Sequence, residues 1–92
     1  MTPDPTKRPR LAPGCRLNER SAVQRVLLMP ERALRLNGPS LEIVERCDGT
    51  RTAADLIAEL QKIYSKAAPE KVEQDILEYL GRLHDQRALD FE

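Results

Sequence analysis

The feature that most constrains this chain is a single change in the period of its apolar residues. From Cys15 to Leu36 they recur at a spacing of two, in short runs separated by turn-forming residues, which is the pattern of strands with one buried face. From Leu41 to Leu83 the spacing lengthens to three or four, the period of amphipathic helices. Strands that precede helices, rather than alternate with them, make an α+β domain in which the helices cover one face of a small sheet. With 92 residues, the chain has room for one modest core and no second domain.

Three strands are expected. Cys15 and Leu17 share a face in the first, Val26 and Leu28 in the second, and Leu34 and Leu36 in the third. Asn18-Glu19-Arg20-Ser21 suits the first turn and Pro30-Glu31 the second, since Asn, Ser and Pro favour turn geometry; the strands then form an antiparallel meander. Asn37 or Ser40 is placed to cap a first helix running to about Arg46, with Leu41, Val44 and Cys47 inward and Asp48-Gly49 as its stop. Thr52 and Asp55 form a capping pair for a second helix, with Ala53, Leu56, Ile57, Leu60, Ile63 and Tyr64 on one side. Pro69 suits the first turn of a third, longest helix. Val72, Ile76, Tyr79, Leu80 and Leu83 form its core stripe, it ends near Gln86, and Ala88 to Phe91 extend as a short tail. The expected fold is winged-helix-like: a three-stranded antiparallel sheet followed by three α-helices.

Ahead of the strands, Pro3, Pro5, Pro9 and Pro13 alternate with Lys7, Arg8 and Arg10 and offer little to bury. Residues 1–13 are therefore read as a flexible basic tail and 14–92 as the folded domain. Residues 1–35 carry eight basic against three acidic groups, a balance of +5, and the remainder seven against twelve, a balance of −5. No basic region followed by an apolar run marks a signal peptide, and no apolar segment approaches the ~20 residues that span a bilayer. The expected compartment is the cytoplasm, without membrane attachment.

Catalytic machinery is not legible. Hydrolysis or group transfer needs a nucleophile beside a base, paired carboxylates in a pocket, or a metal. Cys15 and Cys47 stand far apart without a CxxC pair, and His84 is the single histidine, so a zinc site lacks ligands. Cys47 reads as a small buried hydrophobe and His84 as a half-exposed side chain beside the core stripe. Gly14, Gly38, Gly49 and Gly81 make no phosphate-cradling motif. Gly81, inside the third helix, costs about 1 kcal/mol relative to alanine, so it marks either a close approach of another chain or a helical irregularity. Leu77 lies about 60° beyond the core stripe and is a candidate exposed contact. The third strand is an edge of the meander, where unpaired backbone groups can accept another extended chain.

In combined order, Pro13-Gly14, Arg16-Leu17, Leu27-Leu28-Met29-Pro30-Glu31, Leu36-Asn37 and Ile43 through Cys47-Asp48-Gly49 form one pattern. It continues through Thr52, Leu56-Ile57, Leu60, Tyr64, Asp75-Ile76, Leu80 and Leu83. Over about residues 13–90 this resembles the small protein D family of pyrroloquinoline quinone (PQQ) biosynthesis (PqqD), a peptide chaperone. It departs from the family at Asp85-Gln86-Arg87-Ala88, where members often have glycine near the end of the last helix. The resemblance implies the leader-peptide recognition fold of ribosomally made, post-translationally modified peptides, the RiPP recognition element. It also implies a role: binding the precursor peptide of the cofactor and presenting it to a radical S-adenosylmethionine enzyme that crosslinks a glutamate to a tyrosine. The peptide is then expected as an added strand on strand three, along Arg32, Ala33, Leu34 and Arg35, against Gln74, Leu77 and Gly81 of helix three. No catalytic residue, metal or other cofactor is implied.

The competing reading is a winged-helix DNA-binding regulator. Glu70, Glu73, Asp75, Glu78 and Asp85 against Lys71 and Arg82 give the third helix a balance of −3, unsuited to a polyanion, so no nucleic-acid partner is expected. An exposed edge strand permits a monomer, an edge-paired homodimer or an exchanged arm.

Overall fold

The computed structural model describes residues 3–19, 25–36 and 38–92. Strands β2 (Arg16–Glu19), β3 (Arg25–Leu28) and β4 (Ala33–Leu36) form the meander, and α1 (Pro39–Glu45), α2 (Ala53–Ile63) and α3 (Pro69–Asp85) follow it. The expected α+β order is present, with one addition. A second, two-stranded sheet joins β1 (Pro9–Leu11) to β5 (Leu89–Phe91), Pro9 opposite Phe91 and Leu11 opposite Leu89.

That addition corrects the reading of residues 1–13 as a tail and of 88–91 as a loose extension. Pro9 and Ala12 are buried, and Ala88 and Leu89 are fully so. The segment is held by its backbone rather than by apolar side chains, which is why its composition hides it. Arg8 and Glu92 exchange backbone hydrogen bonds, Leu11 N–H donates to the Cys47 carbonyl, and the Pro9 carbonyl accepts from Gly49 N–H. The carbonyls of Lys7 and Pro5 accept from Ala53 and Ala54 N–H at 2.8 and 2.9 Å. These are two of the donors that every helix N-terminus leaves without an intrahelical partner. The Thr52–Asp55 capping box satisfies the next, as its sequence predicts.

Register settles the sheet faces. Leu17 stands opposite Leu27, and Leu27 opposite Leu34; this row faces the helices, and Leu27 is fully buried. Val26 and Leu28 therefore point to the other side of the sheet, contrary to expectation. Val26-Leu27-Leu28-Met29 is apolar throughout and offers no alternation to read, and a shift of one residue exchanges the two faces. β2 also continues through Asn18 and Glu19, where a turn was expected; the rest of that turn lies outside the described residues. Pro30-Glu31 is a tight turn as expected, with Met29 and Arg32 exchanging backbone hydrogen bonds.

Helix α1 begins after Gly38, whose φ of 55° suits glycine, without a side-chain cap from Ser40; Asn37 lies outside the described residues. Ile43, Val44 and Cys47 are its buried positions, with Leu41 only partly so. Ile63 is 49% exposed rather than part of the α2 core face. Burial pushes the Cys47 thiol up to about 12, so it behaves as a hydrophobe donating to the Ile43 carbonyl at 3.2 Å. Helix α3 ends in a Schellman motif: Ala88 N–H reaches the Leu83 carbonyl and Arg87 N–H the His84 carbonyl, both at 2.9 Å. Arg87 holds the left-handed position, at φ 62°, where the resemblance led one to expect a glycine nearby.

Two outcomes follow for chemical unfolding in urea. Replacing Arg87 by Gly removes the left-handed strain and raises stability by about 0.5–1 kcal/mol with an unchanged m-value. Removing residues 1–11 orphans Ala53 and Ala54 N–H and uncovers Leu89; at about 0.5–1.5 kcal/mol per lost hydrogen bond, stability falls by at least about 3 kcal/mol. A truncated protein as stable as the parent would restore the flexible-tail reading.

Candidate peptide-binding site

The open side of β4 is built by the ladder that holds its other side. Met29 and Arg32 form a hydrogen-bonded pair at the turn, and antiparallel ladders alternate such pairs with non-bonded ones. Arg32, Leu34 and Leu36 therefore direct their N–H and C=O groups toward β3. Ala33 and Arg35 direct theirs outward, where no strand pairs among the described residues. Of the four positions expected to present backbone, these two do so. The side chains divide differently: Leu34 packs on the core, and Ala33 and Arg35 are exposed. Arg32 is exposed at the turn, and its guanidinium donates to Gln86 Oε1 at 3.1 Å.

Helix α3 meets this side of the fold at its C-cap and at its middle. Gln86 bonds Arg32, and the Tyr79 hydroxyl bonds the Ser40 side chain at the start of α1. Burial raises the Tyr79 pKa, opposed by that hydrogen bond and by the positive charge of Arg82. The Arg82 guanidinium stands 5.7 Å from the Tyr79 ring centre, a distance at which the ring face attracts a cation. Beyond the turn, a depression of about 520 Å³ lies between Pro13, Met29, Pro30, Glu31 and Arg32 on one side and Gln86 and Arg87 on the other. At the opposite end, an apolar cleft of about 180 Å³ opens between Pro39, Ile43, Leu60, Tyr64, Val72 and Ile76.

The structure does not bring the expected helix residues to β4. At about 100° per residue, Gln74, Leu77 and Gly81 stand roughly 120–180° around the helix from Tyr79 and Gln86. They line a separate, open depression of about 540 Å³ with Glu73, Glu78, Arg82 and Asp85. Gly81 is buried and also lines a cleft of about 260 Å³ with Pro3, Asp4 and Lys7 of the chain's own N-terminal segment. Leu77 is half-buried and packs against the core. Tyr79 and Gln86 stand instead on the flank that reaches Ser40 and Arg32, because a helical stripe has two flanks and periodicity does not say which of them meets β4. The sevenfold spacing of Tyr79 and Gln86 was the available signal. His84 is exposed and meets Phe91 in a tilted arrangement, with ring centres 5.3 Å apart.

Among the described residues, no three of His, Cys, Asp and Glu converge in a metal-holding group, and no helix is long and apolar enough to cross a membrane. What the geometry offers is an open strand edge beside a helix flank bearing an aromatic ring and a guanidinium, suited to an extended polypeptide.

Comparison with known proteins agrees with this architecture. The family model described as coenzyme PQQ synthesis protein D (PqqD) matches residues 24–89. A PqqA binding protein of Xanthomonas axonopodis pv. citri (strain 306) is 39% identical over 83 residues, 89% of either chain. One of Xanthomonas euvesicatoria pv. vesicatoria (strain 85-10) is 38% identical over 82 residues, 88% of either. Among solved structures, the chain is similar to the PqqD truncation of Methylobacterium extorquens PqqCD, determined by solution NMR and described as a functional, stand-alone RiPP recognition element. That similarity has a TM-score of 0.70 at 34% identity and covers 89% of this chain and 87% of that one. On the family match, the identities and the shared fold together, this chain belongs to the PqqD family.

Proposed function

We propose that this protein is a peptide chaperone of PQQ biosynthesis, which binds the ribosomal precursor peptide as a fourth strand on β4. It presents that peptide to a radical S-adenosylmethionine enzyme for glutamate–tyrosine crosslinking. The observation that supports this most directly is the outward pair of backbone groups at Ala33 and Arg35 on the β4 edge of the sheet, the edge that stands beside α3. Support also comes from relatives named for binding PqqA and from the recognition element with the same fold. The protein acts in the cytoplasm, where ribosomal peptides are made. It supplies no catalytic group: the chemistry belongs to the enzyme that receives the peptide.

An added strand gains main-chain hydrogen bonds that do not depend on sequence, so selectivity must come from side chains. Arg35 attracts acidic peptide positions, Tyr79 supplies an apolar face, and Arg82 adds a second cation beside it. The exposed acidic residues of α3, Glu70, Glu73, Asp75, Glu78 and Asp85, disfavour the DNA-binding alternative. A homodimer paired through β4 would consume the same backbone groups, so a dimer of that kind would exclude the peptide.

The test separates the outward N–H from the ladder. Ala33→Pro deletes an outward donor while leaving the β3 ladder intact, because proline is tolerated where an edge N–H faces away from the sheet. By calorimetric titration with the precursor peptide, the parent binds and the folded variant loses at least about tenfold in affinity, from the lost donor and the ring's obstruction of the incoming strand. Unchanged affinity in a variant with parental circular dichroism would refute pairing on β4, and failure of the parent to bind would refute the function.

A further inference from the structure

The sheet has a second face that the helices do not cover. By the pairing register, Arg16, Leu28 and Ala33 form one row across it and Asn18, Val26 and Arg35 the next. The opposite face carries the Leu17–Leu27–Leu34 row and Arg25, whose ion pair with Glu45 ties the sheet to α1. Val26 and Leu28 belong neither to the core nor to the partly buried side chains packed against it. Arg16 and Arg35 are exposed, and no acidic residue stands on their face of the three strands. Two partly exposed apolar side chains in the central strand, flanked on both outer strands by exposed guanidiniums without an ion pair among the described residues, form a small patch with an apolar centre and a cationic rim.

We propose that this outer sheet face is the surface on which the peptide-receiving enzyme docks, and that the matching enzyme surface is apolar at its centre and carboxylate-bearing at its rim. The inference rests on the reading that the peptide pairs with β4, and it extends that reading geometrically. Side chains alternate between faces along any strand, and neighbouring strands keep the alternation in step. A peptide paired beyond β4 therefore places every second side chain on the same face as Ala33 and Arg35. The enzyme would then meet one continuous surface made half by this protein and half by the peptide.

Size and charge select this occupant over others. Three strands of four residues present only about 10 by 13 Å, far less than the ~800 Å² each partner gives to a standard interface. Alone the patch supports weak contact at most; the added peptide strand widens it, so docking favours the loaded chaperone. A second copy placed face to face would oppose four guanidiniums with no acid among them, which costs rather than gains energy. Arginine at the rim of an apolar centre is instead the composition of an anchoring patch for an acidic partner.

The experiment uses the full chain, the precursor peptide and the radical S-adenosylmethionine enzyme, with two surface variants, Arg16→Glu and Val26→Thr. Neither residue lies in the peptide edge, and threonine keeps both the shape and the strand preference of valine. Peptide affinity should stay within about twofold of the parent, whereas affinity of the loaded protein for the enzyme should fall at least about tenfold for Arg16→Glu and severalfold for Val26→Thr. The parent's enzyme affinity should weaken more steeply with salt than that of Arg16→Glu. In the parent itself, methyl resonances of Val26 and Leu28 should shift on adding enzyme to the loaded protein.

Enzyme affinity unchanged in both variants, with intact peptide binding, would overturn the docking face and leave the peptide reading standing. Methyl shifts that follow this protein's own concentration without enzyme would overturn it in favour of self-association. A parent that does not bind the peptide would remove both.

Discussion

Everything exposed in this protein follows from a core that can be covered on one side only. Among the described residues fifteen buried apolar side chains form one core cluster, packed between the Leu17–Leu27–Leu34 side of the sheet and three helices. Each fully buried leucine contributes about 1.5–3 kcal/mol, and among the described residues no helix beyond α1, α2 and α3 remains to cover the opposite face. Nor does another described strand pair with β4, because the chain leads from Leu36 into α1. The open edge and the partly exposed outer face are therefore consequences of the same one-sided packing.

An open edge is useful only if it is held still. Residues 5–11 lie across the loop at Cys47-Asp48-Gly49, pair with β5 and supply carbonyls to the first donors of α2. Around the same loop, Arg46 reaches both Glu42 and Glu59, and Arg51 reaches both Glu59 and Asp48. These half-exposed pairs are individually weak, but they span α1, the loop and α2. Asp48 is held further by the hydroxyl and backbone N–H of Thr50, which lower its pKa.

Backbone pairing and side-chain selection are thus separated in space. In the proposed mode, the strand edge contributes hydrogen bonds that any extended chain could make, and discrimination among such chains falls to side chains such as Arg35 and Tyr79. A binding protein arranged in this way has no need of a polarised nucleophile or a bound metal. It needs a rigid template.

By itself the sequence determined the class and order of elements, because the period of apolar residues reports how each segment is wound: two for strands, near 3.6 for helices. It also determined the Thr52–Asp55 capping box, the Pro30-Glu31 turn and the family. The tertiary structure alone decided the rest. The uniform run Val26–Met29 has no alternation, so only pairing with both neighbours could send Leu27 inward. Pro9 to Leu11 contains no strand pattern, because its hold is through backbone groups that every residue carries alike. The two flanks of α3 are equivalent in sequence, and which of them faces β4 depends on how a helix is turned by distant contacts. Local periodicity encodes what each segment is; what lies beside it is set by the packing of the whole chain.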